Sequence, residues 1–383
     1  MFAAVSEMYE IHSDEPWFIK TRDGLEALRE RLSTAAFIGI DTEFERRRTY
    51  FAELCLVQLA VDDQMVCVDP IAIGTIEPLV EALDETAAPK ILHAARQDLE
   101  VLTQTGGALF KPLLDTQIAA GLAGYSEQIG YADLTAELLG ITLDKSQTRT
   151  DWRKRPLSAA QIEYAIDDVR YLKPIMERLQ SRLIELDRHA WLEEDCLALT
   201  RHESYEIPVE DAWQRVKGMG HLSNDAFGLG VALASWRETT ARKRNLPRRW
   251  VIKDGELIHI AAIRPANLQD LQMQCALSPP ATRRYGAELI AIVNASHATS
   301  TVLRPSTRQY SDVGKKALKL LGAQIGEIGQ TLGIAPSLIM TRREMERLVG
   351  SEMPDRIANG WRGEVAGDAI AAVLEMTPGI FHE

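Results

Sequence analysis

The chain has 383 residues, of which 46% are hydrophobic and 26% charged, a composition typical of soluble globular proteins with two or three domains. The formal net charge of −12 argues against a protein that holds nucleic acid by bulk positive charge, although it does not bear on local basic patches. Apolar runs are too short to span a membrane, the N-terminus has no signal-peptide pattern, and the four cysteines form no Cys-x-x-Cys pair. We therefore expect a cytoplasmic protein with reduced thiols and no membrane contact.

The first half of the chain alternates strand and helix patterns. The predicted strands cover 17–20, 37–44, 55–61, 65–68 and 90–93, and the predicted helices cover 76–83, a segment from Arg96, 115–123, 131–139 and 158–173. Thr21 or Asp23 can cap a helix between the first two strands, Ser158 can cap the last one, and Gly140 can end the helix before it. The pattern predicts an α/β domain of about 195 residues with a mixed sheet.

After about residue 200 the chain shows only helical patterns, and these contain a weak repeat. Six positions between Leu246 and Leu257 match six between Ile334 and Met345 at one constant offset, each set near a proline. Two helical modules of one kind would explain the match, although coincidence is the alternative. A Ser-, Thr- and Ala-rich linker at 294–305 would separate them. The predicted domains are 1–200, 205–290 and 300–383, and the tryptophans of the first module are expected in its core: Trp213, Trp236 and Trp250.

The strand 37–44 stops at two carboxylates, Asp41 and Glu43, one residue apart. Residues i and i+2 of a strand project from the same face, so these two side chains should lie a few ångströms apart. Like charges held so close repel unless a cation lies between them, and hard oxygen ligands favour Mg²⁺ or Mn²⁺ over zinc. The alternative is a strand that ends in solvent with a polar tip.

Two later segments can bring further carboxylates to that strand. Asp98 lies at the start of a helix, where the helix dipole alone could also explain it. On a helical wheel, Asp168 and Tyr164 fall on one flank of the apolar face of 158–173, whereas Asp167 falls almost opposite the core and is expected to be a solvated charge. Phosphodiester hydrolysis builds charge on two oxygens that two divalent ions can stabilise. Four unrelated surface acids are the alternative.

Two basic clusters are candidate nucleic-acid contacts. The first surrounds Trp152 and comprises Lys145, Arg149, Arg153, Lys154 and Arg155. Basic residues interleaved with an aromatic suit a single-stranded backbone, and a solvated charged loop is the equal alternative. The second cluster, in the first helical module, comprises Arg242, Lys243, Arg244, Arg248 and Arg249, for which packing is the alternative to nucleic-acid binding.

These motifs resemble a known family. Asp41-Thr-Glu43-Phe44, Asp98 and Tyr164-x-x-x-Asp168 resemble the three exonuclease motifs of the DEDD superfamily, tyrosine subclass. The stretch 143–158, with the segment from Tyr164 that follows it, is similar to the ribonuclease D family. The helical modules resemble the helicase-and-RNase-D C-terminal (HRDC) domain, the second more weakly. One departure is His93, where the second motif often carries Asn.

The resemblance implies a ribonuclease H-like fold followed by two all-α HRDC-like domains. It also implies hydrolysis of RNA from the 3′ end with two Mg²⁺ or Mn²⁺ ions, releasing nucleoside 5′-monophosphates. Asp41, Glu43 and Asp168 would bind the first ion, Asp41 would bridge to the second with Asp98 helping through water, and Tyr164 would orient the attacking water. Glu43 would also touch the terminal 3′ hydroxyl.

The resemblance also bears on substrate and assembly. It points to structured RNA with single-stranded 3′ ends, especially transfer RNA precursors, and we expect a monomer. The predicted substrate contacts are Phe44, Lys145, Arg149, Trp152 and Arg155. The rivals are a DNA exonuclease of the same chemistry, because no motif here reads the 2′-hydroxyl, and a non-catalytic RNA-binding protein. All five catalytic positions are filled, which argues against a decayed site.

Overall fold

A computed structural model of the chain describes residues 16–107, 109–148, 150–202, 205, 208–296 and 310–377. These residues form two compact units. The first unit contains the described residues of 16–45, 54–202 and 310–377, and the second contains 46–53 and those of 203–309. The predicted domain limits at 200, 205, 290 and 300 stay a prediction. Most of the predicted linker and Arg149 lie outside the described residues.

A six-stranded mixed sheet organises the first unit, as predicted. Its strands are β1 (Trp17–Ile19), β2 (Ile38–Glu45), β3 (Glu53–Val61), β4 (Gln64–Val68), β5 (Lys90–Leu92) and β6 (Leu113–Asp115), in the order β1-β4-β3-β2-β5-β6. The pairs β1–β4, β2–β5 and β5–β6 are parallel, and β3 and β4 form the predicted antiparallel hairpin. The strand β2 therefore lies inside the sheet, between β3 and β5.

Helices of the same unit flank the sheet. They are α1 (Arg22–Thr34), α2 (Pro70–Ile73), α3 (Glu77–Glu85), α4 (Arg96–Gly106), α5 (Thr116–Leu122), α6 (Tyr131–Leu139), α7 (Ala159–Arg170), α8 (Leu172–Glu185) and α9 (His189–Leu199). The predicted caps are confirmed: Thr21 accepts from the Gly24 N–H, and Ser158 forms a capping box with Gln161. Gly140 ends α6 in the left-handed conformation at φ 73°.

Two predicted helices differ from the structure. The helix predicted over 158–173 is interrupted at Tyr171, whose N–H donates to the Tyr131 hydroxyl instead of continuing the helical ladder. The helix predicted from Asp115 begins one residue later, because Asp115 ends β6 and caps α5 by accepting from the N–H groups of Gln117 and Ile118. The first difference arises from a contact with a residue distant in sequence, and the second from the pairing of Asp115 with β5 together with its local capping bonds.

The described residues after 205 are helical, as predicted, and the helix boundaries agree with the repeat. The second unit contains two 3₁₀ segments, Val209–Arg215 and Met219–His221, and the helices α10 (Asn224–Arg244), α11 (Arg248–Val251), α12 (Asp254–Ile263), α13 (Leu268–Met273) and α14 (Pro279–Ser296). The first unit ends with α15 (Asp312–Leu332), α16 (Pro336–Ile339), α17 (Arg342–Val349), α18 (Asp355–Ala358) and α19 (Trp361–Met376). The helices α15, α16 and α17 each begin 88 residues after α10, α11 and α12.

The composition-based expectations have clear structural counterparts. Cys55, Cys67, Cys196 and Cys275 are all buried, in agreement with the prediction of core thiols. None of the helices among the described residues combines the length and the apolarity needed to cross a bilayer.

The helices α15–α19 share a core with the α/β part of the first unit. The rings of Trp191 and Trp361 stack with centroids 4.3 Å apart and planes 9° from parallel. Beside them the buried Arg362 donates to both carboxylate oxygens of Asp195. The backbone N–H of Trp361 donates to the Glu194 carboxylate at 2.9 Å. Paired charges and stacked rings therefore join these helices to α9.

We expect Trp361→Ala to lower the free energy of unfolding of the first unit by about 3–5 kcal/mol, because it removes a buried ring and its stacking partner's contacts. Urea unfolding followed by circular dichroism measures the change. Trp250→Ala is the matched control, since Trp250 is 51% exposed and its loss should cost less than about 1 kcal/mol. Equal effects of the two substitutions would contradict this account of the interface.

In the second unit, residues 46–53 are fixed to α10 by a cluster of polar groups. The Tyr50 hydroxyl donates to Glu238, which also accepts from Arg242 at 3.2 Å and from Arg248 at 2.8 Å. The Asn245 side chain accepts from the N–H groups of Tyr50 and Phe51, both at 3.0 Å. Arg242 and Arg248 of the predicted basic cluster thus pair with a buried carboxylate. For these two residues the structure favours the packing role over nucleic-acid binding.

The tryptophans of the second unit divide into two groups. Trp213 and Trp236 are partly buried and pack against the core, in agreement with the prediction. The prediction for Trp250 was wrong, because half of this side chain is exposed. The short helix α11 explains the difference: it buries Val251 toward the core and leaves its neighbour Trp250 at the surface.

The Glu238 cluster predicts a pH dependence of stability. Burial acts to raise the pKa of Glu238, but hydrogen bonds from Arg248 and Tyr50 hold this pKa at about 2, below its ordinary value of 4.5. A carboxyl with a lowered pKa stabilises the fold fully above its unfolded pKa, and the contribution is lost as pH falls from about 4.5 to about 2. Glu238→Gln should therefore destabilise the chain at pH 7 much more than at pH 3 in urea unfolding. A difference between wild type and variant that does not change with pH would refute this assignment.

Candidate active site

Three carboxylates from β2 and α7 meet in one cluster. Oxygen atoms of Asp41, Glu43 and Asp168 all lie within 4.8 Å of one another. The pleat places Asp41 and Glu43 on the same face of β2, as predicted from their spacing. Gly39 permits the close approach of α7 and the start of α8, because a Cβ there would meet the Val169 carbonyl oxygen at 3.4 Å and the Leu172 side chain at 3.3 Å, besides Ala60 of β3 at 3.2 Å.

Asp98 lies beside this cluster on the first turn of α4. It is 7% exposed, and it accepts a hydrogen bond of 2.5 Å from the hydroxyl of Thr42, the residue between Asp41 and Glu43. Its charge contributes to the raised pKa values of Asp41 and Glu43, so it is electrostatically part of the site. Thr42 is a residue that the sequence reasoning missed, although its place between two acidic residues was a visible signal.

His93, which stands where the second motif often carries Asn, lies three residues before α4 and is held by contacts of both ring nitrogens. Its ring nitrogens lie 2.8 Å from the Thr116 hydroxyl and 3.0 Å from the Ile129 carbonyl oxygen. Burial lowers the pKa of His93, so the ring is neutral near pH 7 and links β5, α5 and the loop before α6.

Tyr164 and Asp168 lie one turn apart on α7, as the wheel predicted, and the Asp168 charge contributes to the raised pKa of the Tyr164 phenol. Asp167 lies outside the group of three carboxylates: it pairs with Arg170 at 2.9 Å and is 22% exposed, so it is less solvated than expected, although its charge contributes to the raised pKa of Asp168. Tyr131, which the sequence reasoning missed, donates to the Asp167 carbonyl oxygen and accepts from the Tyr171 N–H. This pair of bonds fixes the end of α7 next to Asp168.

Burial is the largest cause of a raised pKa at each of the four acidic residues. It raises the pKa of Glu43 to about 8, with Asp168 and Asp98 adding to the shift. It raises the pKa of Asp168 to about 7 and that of Asp98 to about 6, and it moves the pKa of Asp41 well above its ordinary value. Burial and the Asp168 charge raise the pKa of Tyr164 to about 12. The folded chain therefore holds these charges together against their repulsion.

The predicted substrate contacts have varied surroundings. Phe44 is half-buried on β2, and Lys145 is exposed and pairs with Asp133 at 2.9 Å. Trp152 is 2% exposed, in the core beside Tyr164, where a base could not stack on it without a rearrangement. Arg155 uses its guanidinium within the protein, bonding to Asp69 among others. Substrate binding by these side chains stays a prediction, and the placement of Trp152 and Arg155 does not favour it.

The carboxylate cluster fits a hard divalent cation. Three residues supply oxygen donors within reach of one ion, and oxygen is the ligand atom that Mg²⁺ and Mn²⁺ prefer. Repulsion between the carboxylates, which raises their pKa values, is the interaction that a bound cation would relieve.

Comparison with known proteins gives a consistent result along the chain. A family model described as 3′-5′ exonuclease matches residues 16–184, and one described as HRDC domain matches residues 227–293. The chain is 37% identical to a ribonuclease D of Jannaschia sp. (strain CCS1) over 361 residues, which covers 92% of this chain and 93% of the relative. It is 33% identical to ribonuclease D of Escherichia coli (strain K12), over 94% of this chain and 98% of that one.

The fold agrees with a solved structure. The crystal structure of Escherichia coli RNase D, described as an exoribonuclease involved in structured RNA processing, superposes with a TM-score of 0.87. It is 31% identical in sequence, and the match covers 95% of this chain and all of that one. The mixed sheet, the flanking helices and the helical C-terminal region are therefore shared, and the exonuclease fold implies the use of divalent metal.

We expect Mg²⁺ or Mn²⁺ to raise the Tm of the wild-type chain, because a cation that binds only the folded cluster stabilises it by mass action. Asp168→Asn should raise the Tm of the cation-free chain at pH 8, since it removes a repelling charge, and should diminish the cation-dependent increase. Asp167→Asn is the matched control and should keep the cation response. If Mg²⁺ or Mn²⁺ raised the Tm of Asp168→Asn as much as that of the wild type, the cation would have to bind at another site.

Proposed function

Because the chain belongs to the ribonuclease D family of 3′-5′ exoribonucleases, we propose that Asp41, Glu43, Asp98, Tyr164 and Asp168 form its active site. The site removes nucleotides one at a time from the 3′ end of RNA. The observation that carries the proposal is the convergence of oxygens from Asp41, Glu43 and Asp168 within 4.8 Å, next to Asp98 and Tyr164. A strand and a helix that are far apart in sequence supply these groups.

The proposed roles follow from the placement of each side chain. Asp41, Glu43 and Asp168 would hold one divalent ion, and Asp41 with Asp98 would hold a second, the latter through water. Two such ions, when bound, stabilise charge on the attacking and leaving oxygens of a phosphodiester. The four carboxylates offset the charge of the ions and leave ligand positions open for phosphate oxygens.

Tyr164 acts as a hydrogen-bonding group in this proposal. Its pKa of about 12 keeps the phenol protonated at neutral pH, so it orients a water molecule for attack and does not remove the proton itself. Its ring packs beside Trp152, and Asp168 lies one turn further along the same helix. Glu43 lies in the same cluster and would contact the terminal 3′ hydroxyl, which restricts cleavage to chain ends.

The substrate is proposed to be structured RNA with a single-stranded 3′ end, such as a transfer RNA precursor, and the products nucleoside 5′-monophosphates. The description of the Escherichia coli relative as acting in structured RNA processing supports this choice. We further propose that the protein works as a monomer in the cytoplasm with two Mg²⁺ or Mn²⁺ ions. The ribonuclease relatives favour RNA over the rival DNA exonuclease.

We expect Asp41→Asn, Glu43→Gln and Asp168→Asn each to lower turnover by at least about 10²-fold, because each removes negative charge where a catalytic cation would bind. Tyr164→Phe should lower kcat more than it weakens RNA binding. The assay is digestion of a 5′-labelled transfer RNA with a 3′ extension, with and without Mg²⁺, and products resolved by length.

Asp167→Asn is the matched control, because Asp167 pairs with Arg170 outside the cluster. It should change turnover less than about threefold. Digestion of a matched DNA strand at an equal rate would favour the rival DNA exonuclease. Unchanged RNA turnover in Asp41→Asn would mean that the cluster is not the active site.

A further inference from the structure

The loop that precedes α7, residues 150–156, is fixed at one end by Arg155. The guanidinium donates two hydrogen bonds to the Asp69 carboxylate, at 2.7 and 2.9 Å, and one to the Cys55 carbonyl oxygen at 2.6 Å. Two more reach the carbonyl oxygens of Trp152 and Lys154, at 2.6 and 3.0 Å. An arginine has five N–H donors, and these five bonds use all of them inside the chain.

The anchor for Arg155 is rigid. Asp69 directly follows β4, is 1% exposed and also accepts from the N–H groups of Ile71 and Ala72 at the start of α2. Burial acts to raise the pKa of Asp69, but the hydrogen bond from Arg155 lowers it below its ordinary value, so the pair is charged. A partly buried, bidentate arginine–carboxylate pair is strong and directional. It fixes the loop to the ends of two sheet strands.

The other side of the loop contacts the catalytic tyrosine. The buried Trp152 ring lies against the Tyr164 ring with centroids 6.1 Å apart. The Trp152 indole N–H has no hydrogen-bond partner among the described residues, so packing and the bond from Arg155 to its carbonyl hold this residue. In addition, Gln161 on the first turn of α7 donates to the Thr150 hydroxyl at 3.1 Å.

We propose that Arg155 is a positioning residue for Tyr164, acting through Trp152, and that it does not bind substrate. The inference rests on the proposed role of Tyr164 in exonuclease catalysis. Arg155 ties the Trp152 backbone to Asp69 at the end of β4, the Trp152 ring packs beside the phenol ring, and Tyr164 is thereby held one turn from Asp168 on α7. Small displacements of a positioned group cost large factors in rate, which is why such a support matters.

The alternative, a phosphate contact by Arg155, requires a different arrangement. Because all five donors are engaged, an RNA phosphate would have to displace the Asp69 carboxylate or a backbone carbonyl. Breaking a buried ion pair is unfavourable because it leaves an uncompensated charge. The two roles predict different kinetics: a positioning residue affects kcat, and a substrate ligand affects KM and the Kd for RNA.

The test is a double-mutant cycle with Arg155→Lys and Tyr164→Phe in steady-state digestion of 3′-extended RNA. Lysine keeps the charge but loses the forked geometry, so Arg155→Lys should lower kcat about tenfold and change the Kd for RNA less than twofold. In the Tyr164→Phe background the same substitution should have almost no effect on kcat, because the group that it positions is gone. Asp69→Asn should reproduce the effect of Arg155→Lys, and the two should not add.

Arg29→Lys is the control, because Arg29 also pairs with a carboxylate, donating through Nη2 to both oxygens of Glu85, far along the chain from α7. It should leave kcat and the Kd unchanged. An equal loss of kcat from Arg155→Lys in both Tyr164 backgrounds would overturn the proposal, as would a change confined to the Kd. Absence of metal-dependent turnover in the wild type would instead refute the proposed function.

A second readout does not depend on activity. With 5-fluorotryptophan incorporated, ¹⁹F nuclear magnetic resonance gives a Trp152 signal that Trp152→Phe identifies. Arg155→Lys should shift or broaden this signal, and the Trp361 signal should stay in place. An unmoved Trp152 signal would contradict the proposal even if the Tyr164→Phe chain is too slow to assay.

Discussion

Repulsion among partly buried carboxylates is the constraint that the first unit must satisfy. Burial and mutual charge raise the pKa values of Asp41, Glu43 and Asp168, so the folded chain gains nothing from bringing them together without a cation. Several contacts therefore fix the elements that carry these residues. The strand β2 lies inside the sheet, Gly39 lets α7 approach it, and Thr42 binds Asp98 from the same strand.

Arginines paired with buried or partly buried acids join separate parts of each unit. Arg155 with Asp69 fixes the loop before α7, and Arg362 with Asp195 joins the last helices to α9. In the second unit, Glu238 gathers Arg242, Arg248 and Tyr50. The Arg155–Asp69, Arg362–Asp195 and Tyr50–Glu238 contacts link segments that are distant in sequence. The ion pairs are directional because carboxylate and guanidinium interact through defined hydrogen bonds. Basic residues that suggest nucleic-acid binding can therefore be structural.

Features set by local sequence could be predicted, and features set by distant partners could not. The caps at Thr21, Ser158 and Gly140 depend on a few neighbouring residues, and so does the same-face geometry of Asp41 and Glu43. The break at Tyr171 depends on Tyr131, and the orientation of Arg155 depends on Asp69. Neither partner is visible in the pattern around the residue it controls, and the exposure of Trp250 likewise depends on how α11 packs.

The central claim is that Asp41, Glu43 and Asp168 bind one divalent cation together. The most direct measurement is X-ray diffraction from crystals of the whole chain soaked with Mn²⁺, with data collected at the manganese absorption edge. The account predicts an anomalous peak about 2 Å from an oxygen of each of the three carboxylates. Manganese bound elsewhere, or carboxylates separated too far to share one ion, would contradict it.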